Sequence, residues 1–491
     1  MTSSTKESLQ RFWEAVYARF DPIEPVFEPK LRVPRVGEYS PAEKVVPALL
    51  TPFETRRILV AGSIGSGKST ELLMIAERLA PKRVVVLFDL WRHMERSVKD
   101  AAAIEHLQAW ELIGLVGLAV LRAGTERFGH DWGGADRALA QALASQSGDP
   151  GSQLDVAKLA TGLAVTVGGA LASAAGGLAA GAGTSAGLQV LRSIGSAWSW
   201  KVGLSSARRR SDQDEGVREV VAATRAVIES LREGLGGQKI VIIIDGLDRV
   251  RREKSFEGLF VESDLLRALP CDVVVSAHLA MVQRYRGRMR FDQRYDLANE
   301  PVADRSDPWK PGPGIEFFRD LVDRRLEALE GVEVPAGVFP ASVLERLAWC
   351  SGGRLRDFMG FMRTIAERAY ASELGQIDLS LVESIVGAER RRRSDGLNED
   401  EIAVLDSVAR DPDHRLPGSP IALGLLEQQL ILSYPNEGTW YLPHSLLMIT
   451  LIQPDSSRML EQKSAIVASS SLRFGEHDDS LTTSGVTGRL S

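Results

Sequence analysis

Residues Arg57 to Thr70 read RILVAGSIGSGKST, and the reading of this stretch decides the fold. Ile58, Leu59, Val60 and Ala61 form a short apolar run suited to a buried strand. Gly62 to Ser69 follows as GxxxxGKS, and Thr70-Glu71-Leu72-Leu73-Met74-Ile75 continues with helical spacing. Strand, glycine loop and helix in that order predict a phosphate-binding loop. Gly62, Gly65 and Gly67 let the backbone turn tightly enough for its N–H groups to face phosphate oxygens, with Ser63, Ser66 and Thr70 in the same cradle. The helix N-terminus adds partial positive charge there. Lys68 is placed to reach β- and γ-phosphates, and the Ser69 hydroxyl to ligate Mg²⁺. An ordinary glycine turn is the plain alternative, and the flanking strand and helix weigh against it.

Such a loop needs an acidic strand, and Lys239-Ile240-Val241-Ile242-Ile243-Ile244-Asp245-Gly246-Leu247-Asp248-Arg249 supplies one. Five consecutive β-branched residues suit a central parallel strand buried on both faces, from which Asp245 emerges at the C-terminal end. Ligands of open α/β sheets collect at that edge. Asp245 is thereby expected to be the Walker B carboxylate that holds the Mg²⁺ shell in line with Ser69. A core strand ending in an Asp-Gly turn is the alternative reading.

The wider composition bounds the class. A chain of 491 residues predicts about three domains, and 44% hydrophobic with 25% charged residues is ordinary for a globular protein. The net charge of −6 carries no global nucleic-acid signature. Cys271 and Cys350 are the two cysteines and lack zinc-site spacing, so a reducing cytoplasm is the expected compartment. Glu7, Arg11, Glu14 and Arg19 interrupt any signal-peptide pattern.

Leu9, Phe12, Val16 and Phe20 predict an amphipathic helix, and Pro22, Pro25, Pro29, Pro34 and Pro41 an extended arm, together residues 1–41. Residues 42–335 form the core, with a short helix over Ala42–Leu50, a strand over Arg83–Leu90, and an insert over 91–236 too long for one crossover. Helical patterns run over 99–123, 134–146 and 212–234. Leu159 to Leu191 has no charged residue, 8 glycines and 10 alanines, and includes Gly177-xxx-Gly181 and Gly183-xxx-Gly187. It reads either as a soluble hairpin or flap packing small residues, or as a membrane-contacting segment extending over 159–210 with Trp198, Trp200 and Arg208 to Arg210 at its flank.

Asp272 to His278 predicts another buried strand, with Ser276 and His278 as candidate polar sensors beside a γ-phosphate. Tyr295 to Val302 reads as the edge strand, followed by a helix over 315–330. Residues 336–394 read as a helical lid opened by Ser351-Gly352-Gly353-Arg354-Leu355-Arg356-Asp357, from which Arg354 or Arg356 could reach the nucleotide. Arg324 and Arg325 are alternative fingers toward a neighbouring subunit. Residues 395–454 resemble a winged helix, but 396–458 hold nine acids against three bases and the second helix has no Lys or Arg, so a protein partner is expected rather than DNA. Residues 455–491 read as a disordered tail.

GSIGSGKST, IIIDGLDR, the SGGRLRD lid and the wing LLEQQLILSYPNEGTWYLPHSLL together resemble the AAA+/STAND class of prokaryotic P-loop ATPases over residues 30–453. The resemblance implies an α/β core of the additional-strand P-loop type with helical insert, lid and C-terminal winged helix. It also implies ATP and Mg²⁺ as ligands and nucleotide-driven switching or self-association, in some members within bacterial signalling or antiphage defence. DGLDR and the long insert are similar to KAP NTPases, whose inserts can hold membrane helices. Gly246 stands where many AAA+ members carry Glu, and the NACHT-like DGLD pattern implies Asp248 as the base that orients water. The catalytic set is therefore Lys68, Asp245 and Asp248, and the expected function is an ATP-hydrolysing switch. A non-hydrolysing nucleotide scaffold and a membrane-perturbing effector acting through the Gly/Ala-rich insert are the alternatives.

Overall fold

The computed structural model describes residues 3–23, 26–35, 37–95, 99–146, 211–436 and 438–449, with the backbone of 165–168 and 189–190. Seven strands make the main sheet: β1 (Arg57–Gly62), β2 (Val84–Asp89), β3 (Val165–Gly168), β4 (Gln189–Val190), β5 (Ile240–Asp245), β6 (Asp272–His278) and β7 (Gln293–Leu297). Their order is β4-β3-β2-β5-β6-β1-β7. From β2 to β7 the pairing is parallel throughout, while β3 and β4 add antiparallel at the β2 side. The protein is thus α/β with a five-stranded parallel sheet, compatible with a P-loop-like fold.

Alternation within the strands explains the layers. Ile58, Val60, Val241, Ile243 and Val274 pack under the helices Pro41–Leu50 and Lys68–Leu79. Leu59, Ala61, Ile242, Ile244, Val273 and Val275 face the other core, which the insert helices Ala109–Ala123 and Glu215–Gly234 cover. Every residue of β1, β5 and β6 is consequently buried. Two faces covered by helices are what a continuous β-branched strand needs.

The helical pattern over 99–123 splits in the structure. A 3₁₀ turn at Ala101–His106 ends before Gln108, and a capping box between Gln108 and Glu111 starts the helix Ala109–Ala123 afresh. The edge strand also differs from the expected 295–302, since it ends at Leu297. Beyond it, the Asn299 N–H donates to the Ser433 carbonyl and the Glu300 N–H to the Gly353 carbonyl, so these groups bind the lid and wing instead of a ladder.

Three helices, Ala341–Cys350, Leu355–Ser372 and Leu379–Ser394, form the lid region. The N-terminal helix Ser3–Arg19 buries Leu9, Phe12, Trp13 and Val16 against this region, and the Trp13 indole N–H donates to the Leu374 carbonyl at 2.8 Å. After it come helices Glu399–Arg410 and Pro420–Glu427 and the antiparallel hairpin β8 (Ile431–Tyr434) and β9 (Trp440–Pro443). Ile431 and Tyr441 point into the sheet core, whereas Leu432, Tyr434, Trp440 and Leu442 point into the lid core. The hairpin is a wedge shared by both.

Among the described residues no helix is long and apolar enough to cross a membrane. Apart from the backbone of β3 and β4, the Gly/Ala-rich stretch 159–191, its flank to 210 and the tail 455–491 lie outside the described residues.

Candidate functional site

The loop after β1 reaches its shape through glycine. Gly65 has φ +85° and Gly67 φ +94°, a region side-chain-bearing residues rarely occupy. A Cβ on Gly62 would also lie 2.9 Å from both the Leu297 carbonyl oxygen and Ser66 Oγ. Gly67 caps the helix Lys68–Leu79, so the first helical N–H groups open toward the loop.

Lys68 is buried and turned back onto the loop. Its Nζ donates to the carbonyls of Gly62 at 2.9 Å and Ser63 at 2.7 Å, and pairs with Asp248 Oδ2 at 2.9 Å. Asp245 Oδ1 accepts from the Gly246 N–H at 2.7 Å, and Ser69 lines the same cleft. Burial, then repulsion from Asp248, raises the Asp245 carboxyl above its ordinary value. Burial would raise Asp248 too, but Lys68, with Arg249 and His278, outweighs it and holds that carboxyl low.

Asp89 is a third carboxylate at this edge. It ends β2 in register with Asp245 on β5, and burial together with Asp245 pushes it up to about 7. Its Oδ1 accepts from the Arg92 N–H at 3.0 Å. Sequence reading passed over it, although the rule that selected Asp245, an acid at the C-terminal end of an apolar strand, applies equally to it.

Asp89, Asp245, Asp248, Lys68 and Ser69 line one cleft. Ile23, Val26, Leu31, Val33, Phe317 and Met359 give the same cleft an apolar part. Residues 21–35, expected to be only an approach, therefore build part of it. Arg35 from this arm pairs with buried Glu71 and Glu300 and donates to the Ser66 carbonyl of the loop. No local signal marks Arg35 in the sequence, because its partners come from two distant segments, the loop and its helix and the stretch after β7.

The lid arginines meet the loop differently. The Arg356 backbone N–H donates to the Gly65 carbonyl at 3.3 Å, and its side chain lines the cleft. Arg354 is buried beneath the loop, donating to the Ile64 carbonyl at 3.2 Å and to Asp357 at 2.6 Å, while Gln429 of the wing donates to the same Ile64 carbonyl at 3.1 Å. Ser276 and His278 are fully buried on β6 and do not line the cleft. His278 Nδ1 instead accepts from the Ala280 N–H at 3.3 Å, and burial followed by Lys68 pulls its imidazole down to about 3. Arg325 corrects the finger expectation: it is buried and donates to the Arg19 carbonyl, with its guanidinium 5.3 Å from the Phe20 ring. A desolvated cation tied to the N-terminal helix of its own chain does not extend to a neighbour. Arg324, the other candidate, is partly exposed on the same helix.

The donors fit a phosphate and a hard cation. Among the described residues, Ser63 Oγ and Ser66 Oγ are buried in the loop without a hydrogen-bond partner, as groups that a ligand would satisfy. Burial and a neighbouring carboxylate raise both Asp89 and Asp245, a repulsion that a bound cation would offset. No group of three or more His, Cys, Asp or Glu side chains among the described residues forms a metal cage. Mg²⁺ does not require one, since it takes one or two protein ligands with substrate phosphates and water.

No protein-family model matches the chain, and none of the curated proteins matches it either.

Proposed function

We propose that this protein binds ATP with Mg²⁺ and hydrolyses it as a switch, on an additional-strand P-loop core with a helical lid and winged helix. The observation that carries the reading is the Lys68–Asp248 ion pair at 2.9 Å, which joins the helix after the glycine loop to the turn after β5, with β6 lying between β1 and β5. That strand order is the one the additional-strand class requires. Loop N–H groups and the helix N-terminus receive the phosphates, and Lys68 exchanges the Gly62 and Ser63 carbonyls for phosphate oxygens. Ser69 and Asp245 would hold Mg²⁺, which would supply charge neutralisation at the phosphates. The apolar part of the cleft accepts the base.

Switching follows from what touches the loop. The lid grips the Ile64 and Gly65 carbonyls and the wing grips that of Ile64, so a phosphate that moves the loop changes both grips. The test is ATP turnover with Mg²⁺ and light scattering on wild type and Lys68→Ala. Turnover and a nucleotide-dependent mass change, both lost in the variant, support the reading. Tight ATP binding without turnover supports the non-hydrolysing scaffold instead, and no binding at all overturns both.

A further inference from the structure

The position after Asp245 has no side chain, and the structure reveals what fills its place. Gly246 stands at φ +87°, and a Cβ there would come within 2.5 Å of the Trp91 backbone nitrogen and 3.0 Å of Asp89 Oδ1. The exit of β2 therefore packs directly over the exit of β5, and the Arg249 guanidinium, 4.8 Å from the Trp91 ring centre, clamps the two together. A carboxylate missing from one strand is thus replaced by one from its neighbour. Asp89 lines the cleft, in register with Asp245, and its side chain is held by the Arg92 N–H and, at 3.4 Å, by Arg92 Nε. Asp248 is placed otherwise. Its Oδ2 is committed to Lys68, which also holds two loop carbonyls.

Resting on the ATP reading above, we infer that Asp89, and not Asp248, orients the attacking water, while Asp248 is a latch that stores Lys68 until nucleotide arrives. In the step, the water oxygen bonds to the γ-phosphorus as the bond from that phosphorus to the β–γ bridging oxygen breaks. The electron pair leaves on ADP, and the water proton passes to the Asp89 carboxylate and then to solvent. Lys68, released from Asp248, follows the phosphate charge.

Three readouts on the full chain test this: affinity for a fluorescent ATP analogue, Mg²⁺-dependent ATP turnover, and the melting temperature without nucleotide. Asp89→Asn keeps an acceptor for the Arg92 N–H, so it should bind nucleotide within about threefold of wild type and melt no lower, yet lose about 100-fold in turnover. Asp89→Glu should recover part of that loss. Asp248→Asn should keep turnover within about tenfold and bind nucleotide more tightly, because Lys68 is no longer held. Asp89→Asn at wild-type turnover, or Asp248→Asn inactive with Asp89→Asn active, overturns the assignment and leaves the ATP reading intact. Wild type that binds ATP without turning it over also overturns it, and wild type that does not bind ATP removes the reading itself.

Discussion

Buried carboxylates occur at two places beside the loop, and the molecule treats them in opposite ways. At the sheet edge, Asp89, Asp245 and Asp248 lie in one cleft, and both Asp89 and Asp245 are raised by burial and by a neighbouring acid. In the lid, Asp357 lies among Arg354, Arg393 and His444, whose attraction outweighs burial and holds it well below the carboxylate range. Its Oδ2 accepts from Arg354 and Arg393 at 2.6 Å each and from His444 Nε2 at 3.2 Å. The difference separates a site from a scaffold. Mutual repulsion and unpartnered hydroxyls are what a ligand would relieve, whereas a carboxylate bonded from three sides is complete.

The comparison breaks most readily in the lid. Asp357→Ala leaves Arg354 buried without its carboxylate and removes one of the two partners of half-buried Arg393, and should destabilise by about 3–5 kcal/mol in a denaturant titration. A loss below about 1 kcal/mol would remove the scaffold role. Next comes Gly246→Ala, which forces a side chain into left-handed backbone against Trp91, with an expected cost of about 2–3 kcal/mol and lost nucleotide binding.

Acid should act through histidine. His444 accepts from the Leu446 N–H through Nδ1 and donates to Asp357 through Nε2, which makes it the neutral tautomer, and burial followed by Arg393 lowers it to about 3. His278 is lowered to about 3 as well. Both regain ordinary basicity on unfolding, so the unfolded chain binds more protons below pH ~6.5 and stability falls as pH drops from there toward 3. By pH 5 each histidine should account for about 2 kcal/mol. His444→Gln should flatten that slope, and an unchanged slope would place the acid sensitivity elsewhere.

The smallest effect has the opposite sign. Asp245→Asn relieves repulsion at the sheet edge while its amide oxygen can still accept from the Gly246 N–H, so the nucleotide-free protein should become slightly more stable and lose its Mg²⁺ response. A loss of stability without nucleotide would mean that the edge is a scaffold like the lid.

Much of this could be read from the chain alone where the information is contiguous. The glycine loop, the strand Ile240–Asp245 and the strand Asp272–His278 lie in single runs whose spacing and β-branching state their structure. Asp89 sat inside a strand that was read correctly as a strand, yet its part in the site appears only when the register sets it beside Asp245. Arg325 was read as a finger because a basic residue on an amphipathic helix says nothing about which carbonyl it meets. The edge strand was misplaced because Asn299 and Glu300 find partners in the wing and lid.

Local spacing therefore determined the cradle, the acidic strand and the periodic helices, since steric and hydrophobic preferences act over a few residues. Tertiary structure alone decided the strand order, the placing of three aspartates at one edge and the grip of lid and wing on the loop. The Ile64 carbonyl is held by residues 290 and 365 positions away. Charge sharing, burial and register at such distances depend on what the whole fold brings together, and no window of sequence contains both partners.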